Sequence, residues 1–297
     1  MTTLAEQLGF GPGDRVAIVH ADDIGMSHAA NRGAFAALER GPATCGSVMV
    51  PCPGFEAAAE HARGATDLDL GVHLTLNAEF ESHRWGPAAP ASDVPSLLDT
   101  DGCLPRTSAE VAEHAKPDEV ALELRVQIER ALEAGIDVTH LDGHMGTVFF
   151  PPFVHIYAEL AQAFRLPVMV ARPDEAILEA TGLGGAKPIF DDLAARFETA
   201  GFPVLTSLDI DSLAFDPGAG STHNARRLDR LPVGVSYLIC HPAHGDDELR
   251  AITPESAHQR DFERCYYGGE EGRSALAQRG IHTVGMRPLR DLLRGEA

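Results

Sequence analysis

Basic residues and cysteines are scarce in this chain. Only 24 of its 297 residues are Lys or Arg, against 44 Asp or Glu, which gives a net charge of −20. A nucleic-acid backbone or an anionic membrane surface requires a basic face, so we expect neither as the main partner. The five cysteines are odd in number and form no CxxC pair, which argues against a disulfide framework or a zinc knuckle and favours the cytoplasm.

Long apolar runs are also missing. No segment approaches the roughly eighteen consecutive apolar residues of a membrane span. The first twenty residues contain no basic region followed by a long apolar stretch, so we expect no signal peptide. The glycine-rich loop of dinucleotide-binding sheets is absent after the first predicted strand, which weighs against an open doubly wound sheet.

Short β-branched or apolar runs alternate with stretches of helical character. The runs predict strands at 16–20, 46–50, 70–76, 138–142, 167–171, 204–210, 235–240 and 282–286. Helices are predicted after a Ser27 cap, from about 120 to 135, from 154 to 164 and from 189 to 199. This alternation predicts a single α/β domain over residues 1–297: a TIM-like (β/α) barrel of seven or eight mostly parallel strands, regular or distorted and incomplete.

One segment, from about 79 to 117, interrupts the alternation. It is rich in Pro, Asp and Ser without sustained periodicity, and connections of that length are commonly lids or binding loops. We therefore predict a lid-like insertion. It carries the only tryptophan, Trp85. Packing of the loop against the barrel is the favoured interpretation of Trp85, and stacking on a sugar is the alternative.

Ionisable residues follow several of the predicted strands. In a (β/α) barrel the carboxyl ends of the strands carry the active site. These positions are His20, Asp22, Asp23, His73, Asp142, His144, Arg172 and His241. Taken singly, a histidine such as His73 is more often a hydrogen-bonded core residue, and an Asp-Asp pair is more often a helix cap or a turn. Together, two imidazoles and one carboxylate form a familiar divalent-metal site that leaves positions open for water and substrate.

The adjacent aspartates need an irregular strand end to face one site, because consecutive side chains of a regular strand point to opposite faces. Gly25 permits such an exit. One aspartate would then bind the metal, and the other would accept a proton from metal-bound water.

Seven motifs follow one another along nearly the whole chain: HADDIGMSHAANRGAFAALERG, TCGSVMVPCPGFEAA, LGVHLTLN, PSLLDTDG, THLDGHMG, LICHPAHGDDEL and HQRDFERCYY. They give the chain a resemblance to the YdjC/ChbG carbohydrate deacetylases. It implies a TIM-like barrel and a metal-dependent hydrolase that removes the acetyl group from an N-acetylated sugar or oligosaccharide. The attacking group would be metal-bound water, and the substrate would be an acetamido sugar.

The resemblance also implies roles for individual residues. Asp22 is similar to the family's general base, and Asp23, His73 and His144 are similar to its metal ligands. His241 would protonate the leaving amine. Arg172 would lie near the base and hold it ionised.

One position departs from the family pattern. Many members carry His-x-His after the fourth strand, whereas this chain has Gly146 two residues after His144. We therefore expect this difference to affect which substrate is accepted more than which reaction is catalysed.

Several alternatives stay open at this stage. The metal is Mg²⁺ or Zn²⁺: an Asp-His-His set favours zinc on ligand softness, and family members are described with magnesium. The alternative functions are an amidohydrolase or phosphoesterase of another class, and a catalytically silent sugar-binding paralogue. A homodimer is a candidate assembly.

Overall fold

A computed structural model describes residues 2–151, 153–172, 178–179, 185 and 187–296. Within them the strands are β1 Arg15–Ile24, β2 Cys45–Val48, β3 Leu70–Leu74, β4 Val138–Gly143, β5 Ser207–Asp209, β6 Gly234–Cys240 and β7 Ile281–Thr283. All are parallel to their neighbours. Their order in the sheet is β4-β3-β2-β1-β6-β5, and the short β7 pairs with the start of β1.

The sheet curls toward closure between β4 and β5 without a continuous ladder there. Isolated bridges join Leu141 to Val168 and Ala171 to Leu205. The Val170 N–H turns back to the Val168 carbonyl, at 2.8 Å, and this local bond uses a donor that a regular strand would offer to its neighbour. The predicted barrel is thus confirmed in its distorted, incomplete form. The strand predicted at 167–171 is reduced to bridges, and the one predicted at 204–210 to Ser207–Asp209.

Helices surround the sheet. They are α1 Leu4–Gln7, α2 His28–Arg40, α3 Phe55–Gly64, α4 Ser108–His114, α5 Pro117–Glu133, α6 Phe153–Phe164, α7 Lys187–Thr199, α8 Gly220–Arg230, α9 Asp247–Ile252, α10 Ala257–Tyr267, α11 Glu270–Gln278 and α12 Arg287–Arg294. The predicted Ser27 cap is confirmed, because its side chain accepts from the Ala30 N–H. No helix within 2–151, 153–172 or 187–296 is long and apolar enough to cross a bilayer.

The segment from 79 to 117 is fastened to α5. The buried carboxylate of Glu123 accepts hydrogen bonds from the backbone N–H groups of Ala88 and Ala89, both at 2.8 Å. One turn earlier, Glu119 accepts from the Ser96 N–H at 2.6 Å. These contacts hold the segment against α5, and its role as a lid stays a prediction.

Trp85 lies inside this segment and is only 3% exposed. Its ring packs edge-on against Phe80 and His144, with centroids 6.2 and 6.4 Å apart. Burial this deep supports the interpretation of Trp85 as a residue that packs the segment onto the barrel.

Candidate active site

The two adjacent aspartates lie where β1 loses its regular geometry. The pairing register between β1 and β2 shifts between Ala21 and Ile24, and Asp23 has a φ of 64°. That left-handed conformation interrupts the alternation of side chains, so both Asp22 and Asp23 line the same cavity. The irregular strand end expected from the sequence is present, and it is made by Asp23 itself as well as by Gly25, whose φ is 94°.

Asn31 fixes this turn from the first turns of α2. Its side-chain oxygen accepts from the Gly25 N–H at 2.6 Å, and its amide nitrogen donates to the Gly54 carbonyl at 2.9 Å. Both contacts are buried, so Asn31 joins the turn after Asp23 to the segment that precedes α3. This explains why an asparagine in the first residues of the helix accompanies the aspartate pair.

Asp23, His73 and His144 meet around one point although they are far apart in the sequence. Asp23 Oδ1 lies 3.5 Å from His73 Nε2 and 3.3 Å from His144 Nδ1. All three residues are buried, and Asp23 Oδ1 has no hydrogen-bond partner. A buried carboxylate oxygen without a donor is costly unless a cation satisfies it. One carboxylate and two imidazoles suit a divalent metal ion, so the residues fit the expected cofactor.

Each imidazole of this triad is oriented by a further carboxylate. His73 Nδ1 lies 2.9 Å from Asp142 Oδ1, and His144 Nε2 lies 2.9 Å from Glu79 Oε2. Metal-binding histidines commonly use the second ring nitrogen in this way, which fixes the ring and raises its basicity. From the sequence, Asp142 was expected at a strand end but had no assigned role, and nothing in the sequence indicated that Glu79 belongs to the site.

The carboxylates also control the protonation of these histidines. Burial alone would disfavour the charged form of His144, but Glu79 and Asp23 outweigh it and raise the pKa of His144 to about 9. The pKa of His73 is likewise raised well above its usual value, since Asp142 and Asp23 outweigh burial. A metal ion must therefore compete with protons for both rings at neutral pH.

Arg260, from α10, holds the other oxygen of Asp23. Its Nη1 donates to Asp23 Oδ2 at 2.6 Å, and the side chain is 7% exposed. Burial would raise the pKa of Asp23, but Arg260 and the two histidines hold it well below its usual range. Arg260 was not predicted as a site residue; the sole sequence signal was its place in the HQRDFERCYY motif.

The position of Arg172 in the structure differs from the one predicted from the sequence. It was expected beside Asp22, but its guanidinium forms two hydrogen bonds with Glu198 of α7, at 2.6 and 3.0 Å, and the side chain is nearly half exposed. The carboxylate on the outer helix draws the side chain away from the cavity. The guanidinium at the aspartate pair is that of Arg260, and it contacts Asp23, not Asp22.

Asp22 is oriented from behind by a buried histidine pair. Its Oδ1 lies 2.5 Å from His20 Nδ1, and His20 Nε2 lies 2.8 Å from His140 Nε2. The free oxygen, Oδ2, faces His241 Nε2 at 3.8 Å. One oxygen is thus fixed while the other is directed into the cavity.

His241 follows β6 and is oriented by Ser212, in the segment after β5, and by Glu263. Its Nδ1 lies 2.9 Å from Ser212 Oγ, and Ser212 is within 2.9 Å of both carboxylate oxygens of Glu263 in α10. The backbone N–H of His241 also donates to Glu263, at 2.7 Å. Burial lowers the pKa of His241, against the opposing pull of Asp23 and Asp22. This arrangement leaves Nε2 directed at the cavity.

The cavity that these residues share has a volume of about 340 Å³. Its charged and titratable groups come from the ends of β1, β3, β4 and β6, from Glu79 and from α10. The other described residues that line it are glycine or apolar, with aromatic rings of Phe149, Phe150 and Phe190 among them. Gly146 also lines it, with a φ of 65°.

Known proteins are similar to this chain over most of its length. A family model described as "YdjC-like protein" matches residues 16–278. A carbohydrate deacetylase of Thermus thermophilus is 34% identical over 98% of this chain and 99% of the relative. A chitooligosaccharide deacetylase of Escherichia fergusonii is 28% identical over 80% of this chain and 85% of the relative. An Enterococcus faecalis structure, named for cellobiose-phosphate cleavage, shares the fold with a TM-score of 0.77, 24% identity, and coverage of 93% of this chain and 99% of its own.

Proposed function

The chain belongs to the YdjC-like protein family, and from that premise we propose that it is a metal-dependent carbohydrate N-deacetylase. Its substrate would be an N-acetylated sugar or oligosaccharide, and its products acetate and the free amine. The observation that carries the proposal is that His73 and His144 both lie close to Oδ1 of Asp23, a buried carboxylate oxygen without a hydrogen-bond donor.

The metal would be bound by three side chains and supported by three others. Asp23 Oδ1, His73 Nε2 and His144 Nδ1 are the proposed ligand atoms. A divalent ion there supplies Lewis acidity, which polarises a carbonyl oxygen and makes water easier to deprotonate. Because Arg260 occupies Asp23 Oδ2, this carboxylate offers a single oxygen as ligand. The donor set is compatible with Zn²⁺ or Mg²⁺, and the choice between them is left to the assay below.

Asp22 is the proposed general base. His20 holds its Oδ1, so Oδ2 is left to accept the proton of the water that attacks the acetamide carbon. The expectation that one aspartate of the pair binds metal while the other handles the proton is supported by their separate partners: Arg260 and the two histidines for Asp23, and His20 for Asp22.

His241 is the proposed general acid. An amine anion is a very poor leaving group, so the amide nitrogen must receive a proton as its bond to carbon breaks. Ser212 and Glu263 fix the ring, and Nε2 faces the cavity 3.8 Å from Asp22 Oδ2. Base and acid therefore lie close enough to act on one tetrahedral centre.

Acetate release tests the proposal directly. The purified chain, stripped with chelator and then supplied with Zn²⁺ or Mg²⁺, is incubated with N-acetylglucosamine, chitobiose and related acetamido sugars. We expect acetate release that depends on added metal, and no hydrolysis of p-nitrophenyl phosphate. Phosphatase activity without acetate release would favour the alternative hydrolase class and refute the proposal. Its cytoplasmic location and its assembly as a homodimer stay predictions.

A further inference from the structure

The lining of the cavity has a charged part and an apolar part. The charged and titratable residues come from the ends of β1, β3, β4 and β6, from Glu79 and from α10. The apolar part comes from residues 168–171, β5 with the residue that follows it, and β6, and it presents Met169, Ala171, Leu208, Ile210 and Ile239 to the cavity. We refer to these five residues as the apolar wall. A site for a free, fully hydroxylated sugar would require hydrogen-bonding groups where the apolar wall has hydrocarbon.

The apolar wall lies directly beside the proposed general acid. Ile239 and His241 are two residues apart where β6 ends, so their side chains share the face that looks into the cavity. Leu208 and Ile210 repeat this spacing at β5. A group attached next to the scissile amide would thus contact hydrocarbon while the amide is held at the metal triad.

Two polar side chains near the wall, both in the described part of the chain, are already used by other partners. Ser212 is bonded to His241 and Glu263, and Asp209 is bonded to Arg227. A sugar hydroxyl placed against the wall would lose its bonds to water without gaining these groups as partners. A hydrocarbon group placed there would gain affinity by burial.

The apolar surface continues outward at the mouth. Met145 lines the cavity, yet it is 48% exposed, one of the few large apolar side chains with such exposure among the described residues. Methionine adapts readily to ligands of different shape. The next residue, Gly146, adds no polar group.

We propose that the preferred substrate is an N-acylated amino sugar with an apolar substituent beside its reacting amide, and that the apolar wall binds this substituent. The substituent is either an acyl chain longer than acetyl or an apolar aglycone, since both would bring hydrocarbon to the same wall. This inference rests on the proposed deacetylase function and specifies the substrate class of the same site.

Chain-length series distinguish the two sources. In the first, N-acetyl-, N-butyryl- and N-hexanoylglucosamine are compared; in the second, N-acetylglucosamine is compared with its butyl and hexyl glycosides. Each buried methylene contributes about fourfold in affinity, so two buried methylenes are expected to raise kcat/KM by about fifteenfold, mainly through KM. A rise in one series identifies the source. Flat or falling values in both series, with N-acetylglucosamine or chitobiose still hydrolysed, would overturn the inference alone; no release from any compound would overturn the proposed function with it.

Variants of one wall position link the effect to the structure. Ile239→Val shortens the side chain by one methyl group, and Ile239→Thr has the shape of that variant with a hydroxyl in place of a methyl. We expect Ile239→Val to retain most of the preference for hexanoyl or hexyl compounds over N-acetylglucosamine, and Ile239→Thr to reduce it by fivefold or more. Val233→Thr makes the same kind of change at a residue that is 52% exposed and not part of the wall. It should leave the preference unchanged. Equal preferences in Ile239→Thr and Val233→Thr would show that the wall does not bind the substituent.

Discussion

Replacement of Asp22 by asparagine separates proton transfer from metal binding. The two side chains have nearly the same shape, and the asparagine oxygen can still accept from His20 Nδ1, which lies 2.5 Å from Asp22 Oδ1. The change therefore removes the acceptor at Oδ2 and leaves Asp23, His73 and His144 untouched. Loss of a general base typically costs 10²–10⁴-fold in turnover, which at about 1.36 kcal/mol per decade is roughly 2.7–5.4 kcal/mol of transition-state stabilisation.

The assay measures three quantities on the same preparation. Acetate release at saturating substrate gives kcat, elemental analysis gives metal per chain, and thermal unfolding gives Tm. We expect a large fall in kcat for Asp22→Asn, with metal content and Tm close to those of the parent. A variant that stays within a fewfold of the parent on every accepted substrate would refute the assignment of Asp22 as the base. Loss of metal in this variant would instead place Asp22 among the ligands.

Three further predictions concern the metal triad. His144→Ala should remove most of the bound metal, and unchanged metal by elemental analysis would exclude His144 as a ligand. Arg260→Met breaks a buried ion pair with Asp23, so it should lower the free energy of unfolding by about 3–5 kcal/mol when metal is removed with chelator. The loss should be smaller with saturating metal, because the ion then neutralises Asp23. Equal losses in urea denaturation under both conditions would contradict this pairing. The pKa of His144, about 9, lies above the usual histidine value, so the ring is protonated at lower pH and metal must displace that proton. The dissociation constant measured by calorimetry should increase at least tenfold per pH unit as pH falls from 8 to 6. A pH-independent constant would contradict the displacement of a proton from His144 by the metal.

The part of the site that the sequence predicted rests on one rule of parallel barrels and on the family resemblance. Because strand ends converge, ionisable residues from separate motifs were expected at one rim, and the resemblance selected Asp23, His73 and His144 among them as metal ligands. For His73, the common alternative of a core histidine was weighed, and the structure places its Nε2 3.5 Å from Asp23 Oδ1. The register break at Asp23 was also expected, since adjacent aspartates cannot face one cavity from a regular strand.

The site residues that the sequence did not predict lie on segments that do not follow a strand of the sheet directly into the site. Arg260 is on a helix 237 residues after Asp23, and no strand-end rule places that helix over the barrel mouth. Glu79 stands at the start of an aperiodic segment and reaches His144 through the path of that segment. Arg172 does follow a strand-like segment, but its side chain forms an ion pair with Glu198 on an outer helix. Such choices are made by tertiary contacts, and periodicity carries little information about them.

The left-handed backbone at Asp23 limits how this chemistry can be transferred to other proteins. Copying the aspartates and two histidines onto the strand ends of a regular barrel would send one carboxylate inward and the other outward. A successful transplant would have to include the glycine at position 25 and the asparagine at position 31, whose side chain bonds to the turn. The smallest unit that a designer could move is therefore a strand, its distorted end and the first turns of the following helix.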